Sequence, residues 1–148
     1  MGSNPRLEAP VLNSRLRRAH ISGGAVVANV GSPLDLTFLV NELGPGAKEL
    51  AQLASGTHPF CETLKGATNP MLIVGAGVLA RADSDALLKQ LHAIAEKCGV
   101  VKEGWNGYNV LHDAAGRVAA LDLGFLPSES ATKVCFHTNH LWFHIIRA

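Results

Sequence analysis

Apolar and polar positions follow two different periods along this chain, and the breaks between periods fall on glycine and proline. Leu12, Leu16 and Ala19 recur at i, i+4 and i+7, the spacing of one helical face, while Arg15, Arg17 and Arg18 occupy the remaining faces. Pro10 suits a first helical position, Glu8 lies near the positive helix end, and Gly23-Gly24 stops the helix. Ala25 to Val30 is a short apolar run of strand type, closed by Gly31-Ser32-Pro33. Leu36 to Leu43 fits either period and ends at Gly44-Pro45-Gly46. Ala47 to Ala54 predicts a helix with Leu50 and Leu53 inward, and His58-Pro59 opens a short one ending near Gly66. Pro70 to Val74 reads as a buried strand, followed by a Gly75-Ala76-Gly77 loop. Asp83-Ser84-Asp85 caps the clearest helix, with Leu87, Leu91, Ile94, Ala95 and Cys98 at helical spacing and Gly99 at its end. Gly104 to Asn109 is expected to be a loop. Val110 to Leu121 is expected to be a helix with Leu111, Ala115, Val118 and Leu121 inward, and Lys133 to Phe136 a last strand.

Helices alternating with short all-apolar strands predict an α/β fold built on a parallel sheet covered on both faces. The chain opens with a Ser3-Asn4-Pro5 turn and a helix that feeds a strand, as such a fold would if its preceding strand were removed. Composition supports a real core: 47% of residues are apolar and 17% charged, which excludes a disordered chain. A net charge of +1 gives no global field toward nucleic acid or an anionic membrane. No apolar run is long enough to span a bilayer, and the N-terminus has neither a signal peptide nor a presequence pattern. Arg6 stands where a myristoylation signal wants Ser or Thr.

Candidate chemistry is sparse. Gly75-Ala76-Gly77-Val78-Leu79-Ala80 matches G-x-G-x-x-A after a strand, so Gly75 and Gly77 are candidates for a nucleotide loop. Such a loop needs its helix to begin at once, with free N–H groups toward the phosphates. Here the Asp83 cap places the helix several residues later and adds negative charge, so a tight strand-to-helix turn is the expected role. His137, His140 and His144 have ligand-like spacing near Cys135, but no acidic residue stands by to orient an imidazole, and no metal site is expected. His20, His58, His92 and His112 read as capping, surface or packing residues. Cys61, Cys98 and Cys135 are odd in number and 37 residues apart, which fits neither a disulfide framework nor the close ligands of an iron–sulfur cluster. Cys61 follows Pro59-Phe60 and reads as a small buried hydrophobe. Arg15, Arg17 and Arg18 lack interleaved aromatics and suggest a solvated face or a subunit contact. No catalytic residue emerges.

Six phrases together resemble one family. Gly2-Ser3-Asn4-Pro5-Arg6-Leu7-Glu8-Ala9-Pro10 is similar to a stretch of the large iron–sulfur (75 kDa) subunit of respiratory complex I. In order follow Gly31-Ser32-Pro33-Leu34-Asp35-Leu36-Thr37, Ala54-Ser55-Gly56-Thr57-His58-Pro59-Phe60 and Asn69-Pro70-Met71-Leu72-Ile73-Val74-Gly75. Trp105-Asn106-Gly107-Tyr108-Asn109-Val110-Leu111 and Ala119-Ala120-Leu121-Asp122-Leu123-Gly124 complete the series.

The resemblance implies a truncated, molybdopterin-oxidoreductase-like domain over residues 1–132. It would be a partial three-layer, Rossmann-like parallel sheet flanked by helices, followed by a divergent tail at 133–148 that is expected to pack poorly. It implies a non-catalytic scaffold segment of a parent that carries electrons from NADH toward ubiquinone. No cofactor is expected in the fragment, and the iron–sulfur clusters are expected in the N-terminal part of the parent. Other complex I subunits would be its partners, at the matrix side of the mitochondrial inner membrane, with no nucleic acid and no direct membrane insertion. Two alternatives are a nucleotide-binding domain like the central domain of thiamine-diphosphate enzymes, which the Asn69 to Gly99 segment resembles, and a piece of a true molybdopterin enzyme.

Overall fold

A computed structural model of the chain describes residues 1–125 in full, and residues 133–138 and 141–146 as backbone strands. The chain forms two compact units, Met1–Asp113 and Ala114–Ala148.

In the first unit, Met1 lies alongside residue 74 with the hydrogen-bond pattern of a parallel pair. Its nitrogen donates to Ile73 O at 3.0 Å, and the Gly75 N–H donates to Met1 O at 2.8 Å. Helix α1 (Pro5–Glu8) is capped by Asn4, whose side-chain oxygen accepts the Arg6 N–H. Helix α2 (Pro10–Gly23) ends on Gly24 at φ 66°, a left-handed turn that glycine takes without strain. Strand β1 (Ala28–Val30) pairs in parallel with β2 (Asn41–Gly44), with a register shift between Asn29 and Val30. Helices α3 (Ala47–Ser55) and α4 (Phe60–Gly66) follow, then β3 (Leu72–Gly75), a one-turn helix α5 (Ala76–Leu79) and the long α6 (Ser84–Lys97). A tight hairpin, β4 (Val101–Lys102) and β5 (Trp105–Asn106), leads into β6 (Tyr108–Leu111), which pairs in parallel with β3.

The core is set by two amphipathic helices. Leu87, Leu91, Ile94 and Ala95 of α6 are buried, and so are Leu50 and Leu53 of α3, which packs against it. Val30, Cys61, Val74, Val78, Cys98 and Val100 complete the cluster, so each parallel pair contributes a residue to one apolar interior. Parallel pairs within a helix-bearing chain make the fold class α/β, as expected. The second unit holds helix α7 (Arg117–Asp122) and an antiparallel hairpin of β7 (Lys133–Thr138) and β8 (Leu141–Ile146). The expected poor packing of the tail concerns side chains outside the described residues.

Three expectations are corrected. The helix expected over Val110 to Leu121 is a strand through Leu111 and a short helix from Arg117, with Val118 and Leu121 exposed. Gly116 at φ 77° breaks any continuous helix, and the free edge of β3 takes Tyr108 to Leu111, aromatic and β-branched residues among them. The stretch Gly104 to Asn109, expected as a loop, carries β5 and the start of β6. In α2, Leu12 and Leu16 are only half-buried and Ala19 is exposed, whereas Asn13 is buried. That helix makes polar contacts with the 35–38 segment: Asn13 Nδ2 donates to Leu36 O at 3.2 Å, and Arg17 Nη1 to Thr37 Oγ1 at 3.2 Å.

Candidate functional site

The Gly75-Ala76-Gly77 turn stands at the carboxyl end of β3, where ligands bind in open parallel sheets. A helical turn does begin at once, at Ala76, which corrects the expectation that the helix starts too late. It lasts one turn only. The two amide donors are already taken by the chain itself: Gly75 N–H donates to Met1 O at 2.8 Å, and Gly77 N–H to Gly2 O at 3.0 Å. A Cβ at position 75 would stand 2.2 Å from Gly2 O, and one at 77 would stand 2.7 Å from it. These glycines therefore permit close approach of the chain at residues Gly2 and Ser3.

Beside this turn lies a groove of about 560 Å³, bordered by Gly2, Ser3 and Glu8, by Asn29 to Ser32 at the end of β1, by Pro45 and Gly46 after β2, and by Gly77 and Arg81. Its volume suits a small molecule. Glu8, Asn29 and Arg81 of its lining are engaged within the chain. Glu8 accepts from Ser3 Oγ at 2.6 Å and from the Asn4 N–H at 2.8 Å, closing the first helix in the manner of a capping box. Asn29 Nδ2 donates to Ser32 O and to Glu42 Oε2, both at 2.8 Å, and Glu42 Oε1 accepts the Leu34 N–H. Arg81 donates Nε and Nη2 to the two oxygens of Asp83 at 2.7 and 2.8 Å. That fork holds the Asp83 carboxyl below its usual range and raises the guanidinium. Asp83 occupies the N-cap position of α6 yet spends its carboxylate on Arg81 rather than on the helix amides.

Glu8, Asn29 and Glu42 were not singled out as site residues by sequence reasoning. The signal for Glu8 was present, since an acidic residue four positions after Asn4 is a local capping pattern. Nothing local could announce the Asn29–Glu42 pairing, which depends on strand register. Among the described residues, no group of three or more His, Cys, Asp or Glu could hold a metal ion. The candidates Cys135, His137, His140 and His144 have side chains outside the described residues. His58 Nδ1 accepts the Phe60 N–H at 3.1 Å and caps α4, and the ring of His92 stacks on Tyr108 with centroids 4.9 Å apart, as capping and packing residues should.

The Trp-Asn-Gly phrase is structural. Trp105 Nε1 donates to Pro70 O at 2.8 Å, and a Cβ on Gly107 would meet that same carbonyl at 2.2 Å, so only glycine lets β6 enter beside β3.

The model of the molybdopterin oxidoreductase family matches residues 1–146. A subunit of the NADH-quinone oxidoreductase of Rickettsia bellii is 41% identical over 125 residues, 84% of this chain and 18% of that protein. NADH dehydrogenase [ubiquinone] iron-sulfur protein 1, mitochondrial, of Solanum tuberosum is 42% identical over 127 residues, 86% of this chain and 17% of that protein. The NADH-ubiquinone oxidoreductase 75 kDa subunit of Reclinomonas americana is 37% identical over 124 residues, 84% of this chain and 18% of its own length. The chain thus spans less than a fifth of the curated relatives it matches. The groove does not fit the phosphate-bearing cofactor that the family description implies. Glu8 brings negative charge, the groove's one arginine is already paired with Asp83, and the amides of Gly75 and Gly77 are filled by backbone carbonyls.

Proposed function

The chain belongs to the molybdopterin oxidoreductase family, and on that premise we propose that it is a scaffold segment of the large iron–sulfur subunit of NADH–quinone oxidoreductase. In this reading it binds no cofactor and catalyses no step. Its parent passes electrons from NADH toward ubiquinone through clusters held elsewhere. The observation that carries the reading is the Gly75–Gly77 turn, whose two glycine amides bond Met1 and Gly2 of the chain itself. The parallel pairs β1–β2 and β3–β6 are then pieces of one partial three-layer, Rossmann-like sheet. The partners are other complex I subunits, at the matrix side of the mitochondrial inner membrane, with no nucleic acid. Among the described residues no helix is long and apolar enough to cross a membrane, in keeping with attachment through those partners.

A tagged copy of the chain, incubated with a detergent extract of respiratory membranes, is expected to recover other complex I subunits. Recovery of none of them contradicts the scaffold role. A thermal-shift screen with NAD, FAD, ADP and coenzyme A separates this reading from a nucleotide-binding domain: no ligand is expected to move the midpoint, and a reproducible rise with one of them overturns the proposal.

A further inference from the structure

We propose that Cys61 and Cys98 are an oxidisable dithiol that closes into an internal disulfide, tying α4 to the C-terminal end of α6. Both cysteines are buried, at 2% and 3% exposure, in the same core cluster. Cys61 lies in the first turn of α4, and its Sγ donates to Leu53 O, near the end of α3, at 3.5 Å. Cys98 directly follows α6, and its neighbour Lys97 donates Nζ to the next carbonyl along, Ala54 O, at 2.6 Å. The two cysteine-bearing segments therefore converge on one end of α3. Burial, and then the nearby Cys61, push the Cys98 thiol above its usual range.

A single buried cysteine acts as a small hydrophobe, but two brought into one core cluster from different elements have a reaction neither has alone. The oxidant is a hydroperoxide. The sulfur of Cys61 attacks one peroxide oxygen, the O–O bond breaks with release of water or an alcohol, and a sulfenic acid forms. The sulfur of Cys98, whose proton is held more tightly, then displaces the sulfenic oxygen as water while the S–S bond forms. In total the two sulfurs lose two electrons and the two thiol protons leave with the products, and the peroxide is the species reduced. Because both sulfurs are covered, the oxidant enters on local opening of α4, a helix of only seven residues. The modification is independent of any electron transfer by the parent and does not rest on the scaffold reading.

The full chain is treated with hydrogen peroxide, its remaining thiols are alkylated, and the tryptic peptides are mapped. The expected product is a monomer in which the Cys61 and Cys98 peptides are linked and lighter by two hydrogens. Its thermal midpoint is higher than that of the reduced chain, and dithiothreitol reverses the rise. The C135S variant gives the same link, whereas C61S and C98S lose both the link and the rise. The mapping in the unsubstituted chain stands alone, so a core variant that fails to fold does not weaken it. Links from Cys61 or Cys98 to Cys135 or to a second chain overturn the proposal, as does recovery of the two as separate alkylated or sulfinic forms.

Discussion

The tightest steric demands in this chain fall on Gly75 and Gly107, and a backbone carbonyl sets each of them. A methyl at position 75 would stand 2.2 Å from Gly2 O, and one at 107 would stand 2.2 Å from Pro70 O. Backbone yields less readily than a flexible side chain, so Gly75→Ala is expected to cost at least ~1–3 kcal/mol of folding stability. Gly66 ends α4 with open space around it, and Gly66→Ala should gain ~0.5–1 kcal/mol instead. Urea denaturation of the two variants measures both; equal effects would refute the close approach at position 75. Asp35 makes a pH prediction. Its carboxyl accepts the Thr37 N–H at 3.1 Å and pairs with Arg6, and these contacts hold it below the usual carboxylate range. A depressed folded value contributes stability above the ordinary pKa and loses it as pH falls through the folded one. Unfolding midpoints recorded from neutral to acidic pH should therefore decline less steeply in Asp35→Asn, and an unchanged slope would show that these contacts contribute nothing. At this scale the sequence pointed to a tight turn at Gly75 but not to what approaches it, and it did not single out Gly107. A turn of the form Gly-Ala-Gly announces close approach, whereas what approaches is a contact across more than seventy residues, which no local pattern encodes.

Elements with one dominant apolar stripe were legible, and those defined by pairing were not. In α6, burial follows the helical spacing of Leu87, Leu91, Ile94 and Ala95, and α3 follows Leu50 and Leu53. The stretch from Leu111 to Leu121 satisfies the same spacing, yet its first part is β6 and its last part is the exposed α7. Two apolar residues three or four apart fit a strand end followed by a helix as well as they fit one long helix. Only the parallel partner, Leu72 to Gly75, decides between them. Strand β2 was ambiguous for the same reason, since its place is fixed by pairing with Ala28 to Val30. The contrast is measurable. Leu91 is fully buried, so Leu91→Ala is expected to cost ~2–5 kcal/mol. Val118 is 52% exposed, and Val118→Ala should stay within ~0.5 kcal/mol. A loss at Val118 approaching that at Leu91 would restore a buried helix over residues 110–121.

At the scale of the whole chain, the apolar surface left exposed matters more than the surface buried. Leu7, Val11 and Leu39 are 77%, 72% and 73% exposed, beyond what scattered surface hydrophobes require. Both parallel pairs have only two strands, fewer than an independent sheet needs, and they hold together through the shared cluster around α3 and α6. The chain covers less than a fifth of its relatives' length, and under the scaffold proposal these side chains are where a neighbouring segment would pack. The isolated chain should accordingly bind a hydrophobic dye in its native state and self-associate as concentration rises. Replacing Leu7 and Leu39 with Gln should lower dye binding and association while changing stability by no more than ~0.5 kcal/mol each, since neither side chain is part of the core. Analytical ultracentrifugation across a concentration series gives the decisive reading. A wild-type chain that stays monomeric and dye-silent would mean that these side chains tolerate water as they stand.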